Sequence, residues 1–424
     1  MRSLYSLLLY AATPLVLLYL FFRGLRSPGY LRRWPERFGF FSAPRRTGGI
    51  AVHAVSMGEV NAAAELVKAL AGRYPDDPLY FTTFTPTGSE RVRTLFGERV
   101  FHVYAPLDLP GAVRRFFDRV QPRLLVIMET EIWPNLFHDA ETRGIPILIA
   151  NARISPRSFG SYRRFRQLTA AALARVSHIA AQSSADAGRL LELGAIEGKT
   201  SVSGNLKFDL KLPPGLLEEG AALRRGWGPD RPVLVAGSSH ESDERQLLKA
   251  FSRLLPMFPD ALLVLVPRHP ERFGKAAQLA RDAGLMVARH SDGGGCPPSA
   301  QCFVVDAMGE LLRYYAACDV AFVGGTLAPI GGHNVLEPAA LSRPVLFGPN
   351  TANVADIAHK LLECGAALRV ADEAGLETAL KRLFDDPDER TRMGQASFEL
   401  VRSGQGAVGR TLDLIERQLT PGAG

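Results

Sequence analysis

Short apolar runs separated by helix-period stretches recur along almost the whole chain. Ile50 to Val55, Leu79 to Thr83, Leu124 to Ile127 and Ile145 to Ala150 each read as a buried strand, with helical patterns between them. His178 to Ala181 and Ser201 to Ser203 close this series. A second series runs Val233 to Ala236, Leu262 to Val266, Met286 to Ala288, Phe303 to Val305, Val320 to Val323 and Val345 to Phe347. Strands covered on both faces lose the in/out alternation and show as continuous Val/Ile/Leu runs, so each half predicts a doubly wound parallel sheet. Lys211-Leu212-Pro213-Pro214-Gly215 interrupts the rhythm and predicts the connection between halves. Asp292 to Ser299, rich in Gly and Pro, predicts a surface loop. The division expected is residues 25–210 for one Rossmann-like domain, 211–230 for a linker, 231–400 for a second domain and 401–424 for a C-terminal helix. Two such halves place a crevice between them, which suits an enzyme holding a nucleotide on one half and a second substrate on the other.

The first residues break the pattern. Leu4 to Phe22 carries no charge, and at 1.5 Å per residue such a helix roughly crosses a bilayer core. Arg2 precedes it, while Arg23, Arg26, Arg32, Arg33 and Arg37 follow, which places the downstream chain on the cytoplasmic side. Residues 1–24 are therefore expected to be an uncleaved membrane anchor. A signal peptide is disfavoured because no small-x-small cleavage site follows. A helix lying in the interface stays open, because Pro14 would kink a span.

Charge narrows the partners. The net charge of +7 and pI near 9.3 favour anionic partners. No stacking-aromatic or zinc-finger signature accompanies it, so nucleic acid is set aside in favour of phosphorylated lipid or a membrane surface. Four cysteines (Cys296, Cys302, Cys318, Cys364) show no Cys-x-x-Cys spacing and read as free thiols. Nine histidines include no His-Glu-x-x-His, and no metal site is expected. Gly404-Gln405-Gly406-Ala407-Val408-Gly409 matches a dinucleotide fingerprint by letter, but it follows a helical pattern, and a loop before a last helix is the expectation.

The candidate chemistry sits where the apolar runs end. Glu59 follows the first run, where a carboxylate can act as general base; the plainer reading is an acid complementing a helix start. Met128-Glu129-Thr130-Glu131-Ile132-Trp133-Pro134-Asn135 puts two acids and a Trp after another run. Asn151 to Ser155, with Arg163, Arg164 and Arg166, offers an anion site, each arginine alone reading equally as solvated surface. Lys207, in Gly204-Asn205-Leu206-Lys207-Phe208-Asp209, can neutralise charge on a leaving group. Gly237 to Glu241 and Arg268-His269 follow runs of the second half. From Val304 to Pro338 the reading is strand, Met308-Gly309-Glu310 opening a helix to Cys318, strand, then the glycine-rich loop 324–332 leading to Asn334 and Glu337. Glycines let backbone approach a nucleotide closely. No Gly-Lys-Ser/Thr follows, so this is not a Walker loop.

Taken together these motifs resemble the 3-deoxy-D-manno-octulosonic acid (Kdo) transferases of lipopolysaccharide synthesis. The likeness runs from Arg33 to Gly39 (RWPERFG) through HAVSMGEV (53–60), TTFTPTGSERV (82–92), METEIWPNL (128–136), NARIS (151–155), GNLKFD (204–209), AGSSHESDE (236–244), VPRHPERF (266–273) and DAMGEL (306–311) to FVGGTLAPIGGHNVLEP (322–338). The resemblance implies an α/β fold of the GT-B glycosyltransferase type, with an acceptor domain, a CMP-sugar domain and a last helix packing back on the first. It implies a CMP-Kdo donor, a lipid A precursor as acceptor and no cofactor or metal. It also implies action at the cytoplasmic face of the inner membrane. Residue by residue, Glu59 would be the base for a glucosamine 6-hydroxyl, and Glu129 and Lys207 would stabilise the transition state. Arg268, His269, Met308, Gly309, Glu310, Asn334, Val335, Leu336 and Glu337 would hold CMP. Another nucleotide-sugar transferase or epimerase of the same two-domain architecture is the alternative, and a non-catalytic membrane-tethered binding protein the rival of a different class.

Overall fold

The apolar runs of the first half become seven parallel strands. They are β1 (Ile50–His53), β2 (Leu79–Thr83), β3 (Phe101–Tyr104), β4 (Leu124–Met128), β5 (Ile147–Ala152), β6 (His178–Ala181) and β7 (Thr200–Val202). Strands β1, β2, β4 and β5 are buried at every position, which is why they show in sequence as mainly apolar stretches, with the polar residues His53, Thr82, Thr83 and Asn151 towards their carboxyl ends. The order is β3-β2-β1-β4-β5-β6-β7. The chain thus winds outward from β1 to β3 and returns to β4, so the winding reverses between β1 and β4. Ligands of open α/β sheets bind beyond the carboxyl ends of strands at such a reversal.

The second half repeats the plan with β8 (Val233–Ser239), β9 (Leu262–Pro267), β10 (Val287–Arg289), β11 (Cys302–Val304), β12 (Val320–Val323), β13 (Val345–Phe347) and β14 (Ala367–Arg369). Its order is β10-β11-β9-β8-β12-β13-β14, again all parallel, and its reversal lies between β8 and β12. In this computed structural model, which describes residues 1–420, the chain forms two compact units: Met1–Asp209 with the segment from Gln405, and Leu210–Gly404.

Helices of the first unit that bear on the site are α1 (Arg2–Arg26), α2 (Met57–Arg73), α3 (Pro86–Phe96), α4 (Pro110–Val120) and α5 (Pro134–Thr142). Ser56 and Thr85 cap α2 and α3 with their hydroxyls, while Pro at the first position of α3, α4 and α5 is preset for a helix start. The last described helix, Ala407–Leu419, packs Ala407 and Ile415 into the core beside Val60 and Leu66 of α2. Its start is fixed by Asp209, whose carboxylate accepts from Gly406 N and Val408 N, both at 2.5 Å. Residues 421–424 of the expected C-terminal helix lie outside the described residues.

Several expectations need correction. Residues 216–227, inside the expected linker 211–230, form a helix of the second unit. Gly220 of that helix lies against Ala316, and Trp227 stacks on Tyr314 with ring centres 6.1 Å apart. The helix expected from Met308 begins only at Leu311, because Gly309 takes φ +88°. β3 and β14 were not expected; both are sheet edges.

Candidate active site

Glu59 sits on the first turn of α2, immediately beyond β1. Its carboxylate accepts from Val55 N at 2.8 Å and from Ser56 Oγ at 3.0 Å. Burial first, then the negative field of Glu131, push this carboxyl up to about 7, against the Val55 N–H, which holds it down; Glu129 adds to the rise. Glu129 and Glu131 come from the loop after β4, the neighbour of β1, so three acids converge at the reversal of the sheet. Glu131 accepts from Trp133 Nε1 at 2.7 Å, and burial raises it as well. Trp133 in turn packs edge-to-face on His53, with ring centres 4.6 Å apart. His53 Nδ1 pairs with Thr82 Oγ1 at 2.8 Å, and burial lowers the imidazole to about 3, so the ring is neutral.

The backbone is strained at the same place. Glu129 takes φ +56° and Asn151, at the end of β5, takes φ +55°. Left-handed conformations of residues other than Gly cost of order 1 kcal/mol or more and persist where surrounding structure holds them. Here β5 is bulged between Ile149 and Ala152. Buried Asn151 uses its Oδ1 to accept Leu206 N at 3.0 Å, which fixes the turn bearing Lys207. Lys207 itself is half-buried and follows β7, three strands beyond β4, so it reaches the acids' end of the sheet through this turn rather than from an adjacent strand.

In the second unit the expected donor residues also line carboxyl ends of strands. Arg268 and His269 follow β9, Met308 to Glu310 follow β11, and Asn334 to Glu337 follow β12 and its loop. Ser238, at φ +53°, marks a bulge ending β8 that mirrors the one in β5. Glycine is required next to it, since a Cβ at Gly324 would run into the Ser238 carbonyl. Asn334 donates from Nδ2 to Glu337 Oε1 at 3.1 Å, and burial holds the Glu337 carboxyl above its usual range. Val335 and Leu336 are buried in the unit and offer only backbone to a ligand, while Met308 is exposed. Glu310 is paired with Arg313 at 2.7 Å.

Three groups in these clusters had no role assigned from sequence. Glu131 is one. His240 and His333 are a second, with Nε2 atoms 2.9 Å apart and parallel rings, and His269 lies edge-on to His240 at 5.5 Å. A pair this close shares one proton between a donor and an acceptor nitrogen; burial and its cationic neighbours hold His333 down at about 4. The third is Asp243, whose fully buried carboxylate gathers the loop after β12. The acids, Trp and His were visible as letters, but only the fold shows which of them meet. Arg157, Arg163 and Arg164 line a surface recess of about 470 Å³ on the first unit.

Two doubly wound parallel units, with the last helix returned to the first, are the GT-B plan of nucleotide-sugar glycosyltransferases. A solved glycosyltransferase from Rickettsia africae matches 89% of this chain and all of its own, with TM-score 0.55 at 13% identity. The UDP-GlcNAc 2-epimerase from Neisseria meningitidis, solved with UDP-GlcNAc, matches 88% of this chain and all of its own, with TM-score 0.56 at 12% identity. Sequence defines the family more narrowly. Residues 32–210 match the model for 3-deoxy-D-manno-octulosonic-acid transferase (kdotransferase). The 3-deoxy-D-manno-octulosonic acid transferase of Haemophilus influenzae is 42% identical over 422 residues, 99% of each chain. That of Bordetella pertussis is 38% identical over 430 residues, 98% of this chain and 99% of its own. The chain belongs to the Kdo transferases.

Proposed function

We propose that this enzyme moves Kdo from CMP-Kdo to the 6-hydroxyl of a glucosamine in a lipid A precursor, with inversion at the anomeric carbon. The observation that carries this reading is the half-buried Glu59 carboxyl, poised near 7 at the reversal of the first sheet. A general base works best when its pKa lies close to the working pH. The acceptor oxygen bonds to the anomeric carbon as its proton passes to Glu59. The bond from that carbon to the donor phosphate breaks, and the electron pair leaves with CMP as a phosphate monoester. Glu129 and Lys207 stabilise the charge that separates, and Arg268, His269, Met308 to Glu310 and Asn334 to Glu337 hold CMP. The recess of Arg157, Arg163 and Arg164 suits the anionic groups of the acceptor. The enzyme works at the cytoplasmic face of the inner membrane. Exposed Arg23, Arg26 and Arg32 favour that anionic surface at about 1 kcal/mol each near the headgroups.

The test is a product mass. CMP-Kdo generated in situ and a tetra-acylated lipid A precursor are expected to yield acceptor heavier by one or more Kdo residues, while UDP-sugars yield nothing. No mass gain from CMP-Kdo, with CMP still bound, would overturn the reading.

Its pH dependence follows from the same geometry. With Glu59 near 7, the ionised share of the base, and the rate with it, falls towards tenfold per pH unit below that point. Removing the neighbouring charge by Glu131→Gln lowers the Glu59 pKa, so the acidic limb of the rate profile moves to lower pH. A limb that stays in place would show that Glu131 does not act on the base.

A further inference from the structure

α1 is long and apolar enough to cross a membrane. Its two ends are nevertheless fastened to the same folded unit. At the first turn, Tyr5 Oη donates to Asp108 Oδ2 at 3.0 Å. Ser6 Oγ donates to Asn135 Oδ1 at 3.0 Å, and Arg2 Nη1 donates to the same oxygen at 3.2 Å. Asp108 is itself the acceptor for Asn135 N and Leu136 N at the start of α5, so these polar side chains join a hub that the fold already requires.

The other end is fixed through the segment that follows it. Arg23 lies over the Tyr30 ring at 4.5 Å, and Gly24 leaves just enough room for Leu31. The chain then runs into Arg33, which donates to Ser89 Oγ at 3.0 Å and to the His102 carbonyl at 3.1 Å. Glu36 accepts Tyr104 N at 2.8 Å, and fully buried Arg37 lies between the rings of Phe84 and Tyr104. Ser89 belongs to the helix after β2, Asp108 follows β3 and Asn135 follows β4. Both ends of α1 are therefore tied to the carboxyl-end side of one sheet, the side that carries Glu59.

The faces of the helix agree. Ser6, Leu9, Thr13, Leu17, Leu20 and Gly24 recur every three or four residues and are buried or half-buried. The opposite stripe is exposed and apolar: Leu4, Leu8, Leu15, Leu18, Phe22 and Leu25. No charge interrupts it between Arg2 and Arg23, and exposed Arg26 and Arg32 follow. A spanning helix of 25 residues would carry its first turn roughly 37 Å from its last, through the hydrocarbon. It would break the bonds to Asp108 and Asn135 and place Arg2 on the far side.

We propose that α1 does not cross the bilayer but lies in the plane of one anionic leaflet. Its buried stripe from Ser6 to Gly24 is docked on the first unit, its exposed Leu/Phe stripe sits in the acyl chains, and the loops bearing Glu59, Glu129 and Glu131 are set at the headgroup surface. A lipid acceptor then reaches the base by lateral diffusion within that leaflet. This rests on the membrane-bound reading above.

Cross-linking in washed native membranes tests it with the full-length protein. Ser6→Cys with Asn135→Cys, and separately Tyr10→Cys with Gly111→Cys, place thiols on both sides of the docked surface; Tyr10 Oη lies 3.4 Å from Gly111 N. A short bismaleimide is expected to join either pair in most molecules. The second pair avoids the Asn135 hub, so it decides the matter if the first variant folds poorly. A link in either pair supports the in-plane helix, and absence of a link in both overturns it. Release of the protein by alkaline carbonate, with the link still formed in the supernatant, would overturn the leaflet while leaving the docking intact.

Discussion

Glu59→Gln is expected to lower kcat for Kdo transfer roughly 10²–10⁴-fold, the usual contribution of a general base. Donor and acceptor KM should change little, since the loss falls on an interaction made in the transition state. The fold should tolerate the change. The glutamine carbonyl can still accept Val55 N, and its amide can donate to Ser56 Oγ, the two contacts that the carboxylate makes now. Removing a half-buried carboxyl from beside Glu131 and Glu129 relieves repulsion, so the thermal midpoint should hold or rise slightly. The acidic limb near pH 7 should vanish from whatever rate remains, because the titrating group is gone. A variant that transfers Kdo at more than about a tenth of the parental rate, or keeps that limb, would remove Glu59 from the role. In that case Glu131, whose charge acts more strongly on Glu59 than that of Glu129, would be the next candidate.

Much of this arrangement was legible in the sequence, for a definite reason. Strands such as Leu124–Met128 and Leu262–Pro267 are buried on both faces, so their composition alone separates them from the helices around them. The same logic fails at sheet edges. Phe101–Tyr104 mixes His and Tyr into a half-covered strand, and Ala367–Arg369 ends on an exposed arginine, so neither makes an apolar run. The helix Leu216–Trp227 was hidden because its buried positions are few, Leu216, Gly220 and Trp227, and Gly220 serves close approach to Ala316 rather than apolar area. For the site, Glu59, Glu129 and Arg268 announced themselves by following strands. What could not be read was which side chains meet across strands. The Trp133–His53 contact and the His240–His333 pair each join residues from different strand ends, separated by 80 and 93 positions. Tyr5 and Ser6 hold α1 to Asp108 and Asn135, and nothing in the sequence set them apart from Tyr10, Thr13 and Tyr19 of the same helix.

Asp243→Asn is expected to disable the second unit's glycine-rich loop and to destabilise that unit. The Asp243 carboxylate is fully buried and accepts four backbone N–H groups. Oδ2 takes His240 N at 3.0 Å and Gly325 N at 2.8 Å, while Oδ1 takes Leu327 N at 3.0 Å and Ala328 N at 2.9 Å. One side chain on the helix after β8 thereby caps its own helix and holds the loop after β12, across the reversal of the sheet. No other residue type supplies two oxygens that accept on all sides at this reach. Asparagine replaces one oxygen by an NH₂ that faces two N–H donors, so two bonds are lost and donors are set against each other. Each buried N–H left without an acceptor costs about 1–3 kcal/mol, and relaxation of the loop towards water recovers part of it. A net loss of about 3 kcal/mol would lower the unfolding midpoint of a unit of this size by roughly 6–12 °C. The loop carries His333 and leads to Asn334 and Glu337, so the KM for CMP-Kdo should rise together with the loss of stability. His333→Ala separates the two effects: it removes the partner of His240 but leaves all four N–H bonds to Asp243, so it should change donor binding with little thermal shift. If Asp243→Asn melts with the parent and keeps its donor KM, the loop is held by something other than this carboxylate. If instead donor affinity falls with no thermal shift, Asp243 acts on the ligand rather than on the loop.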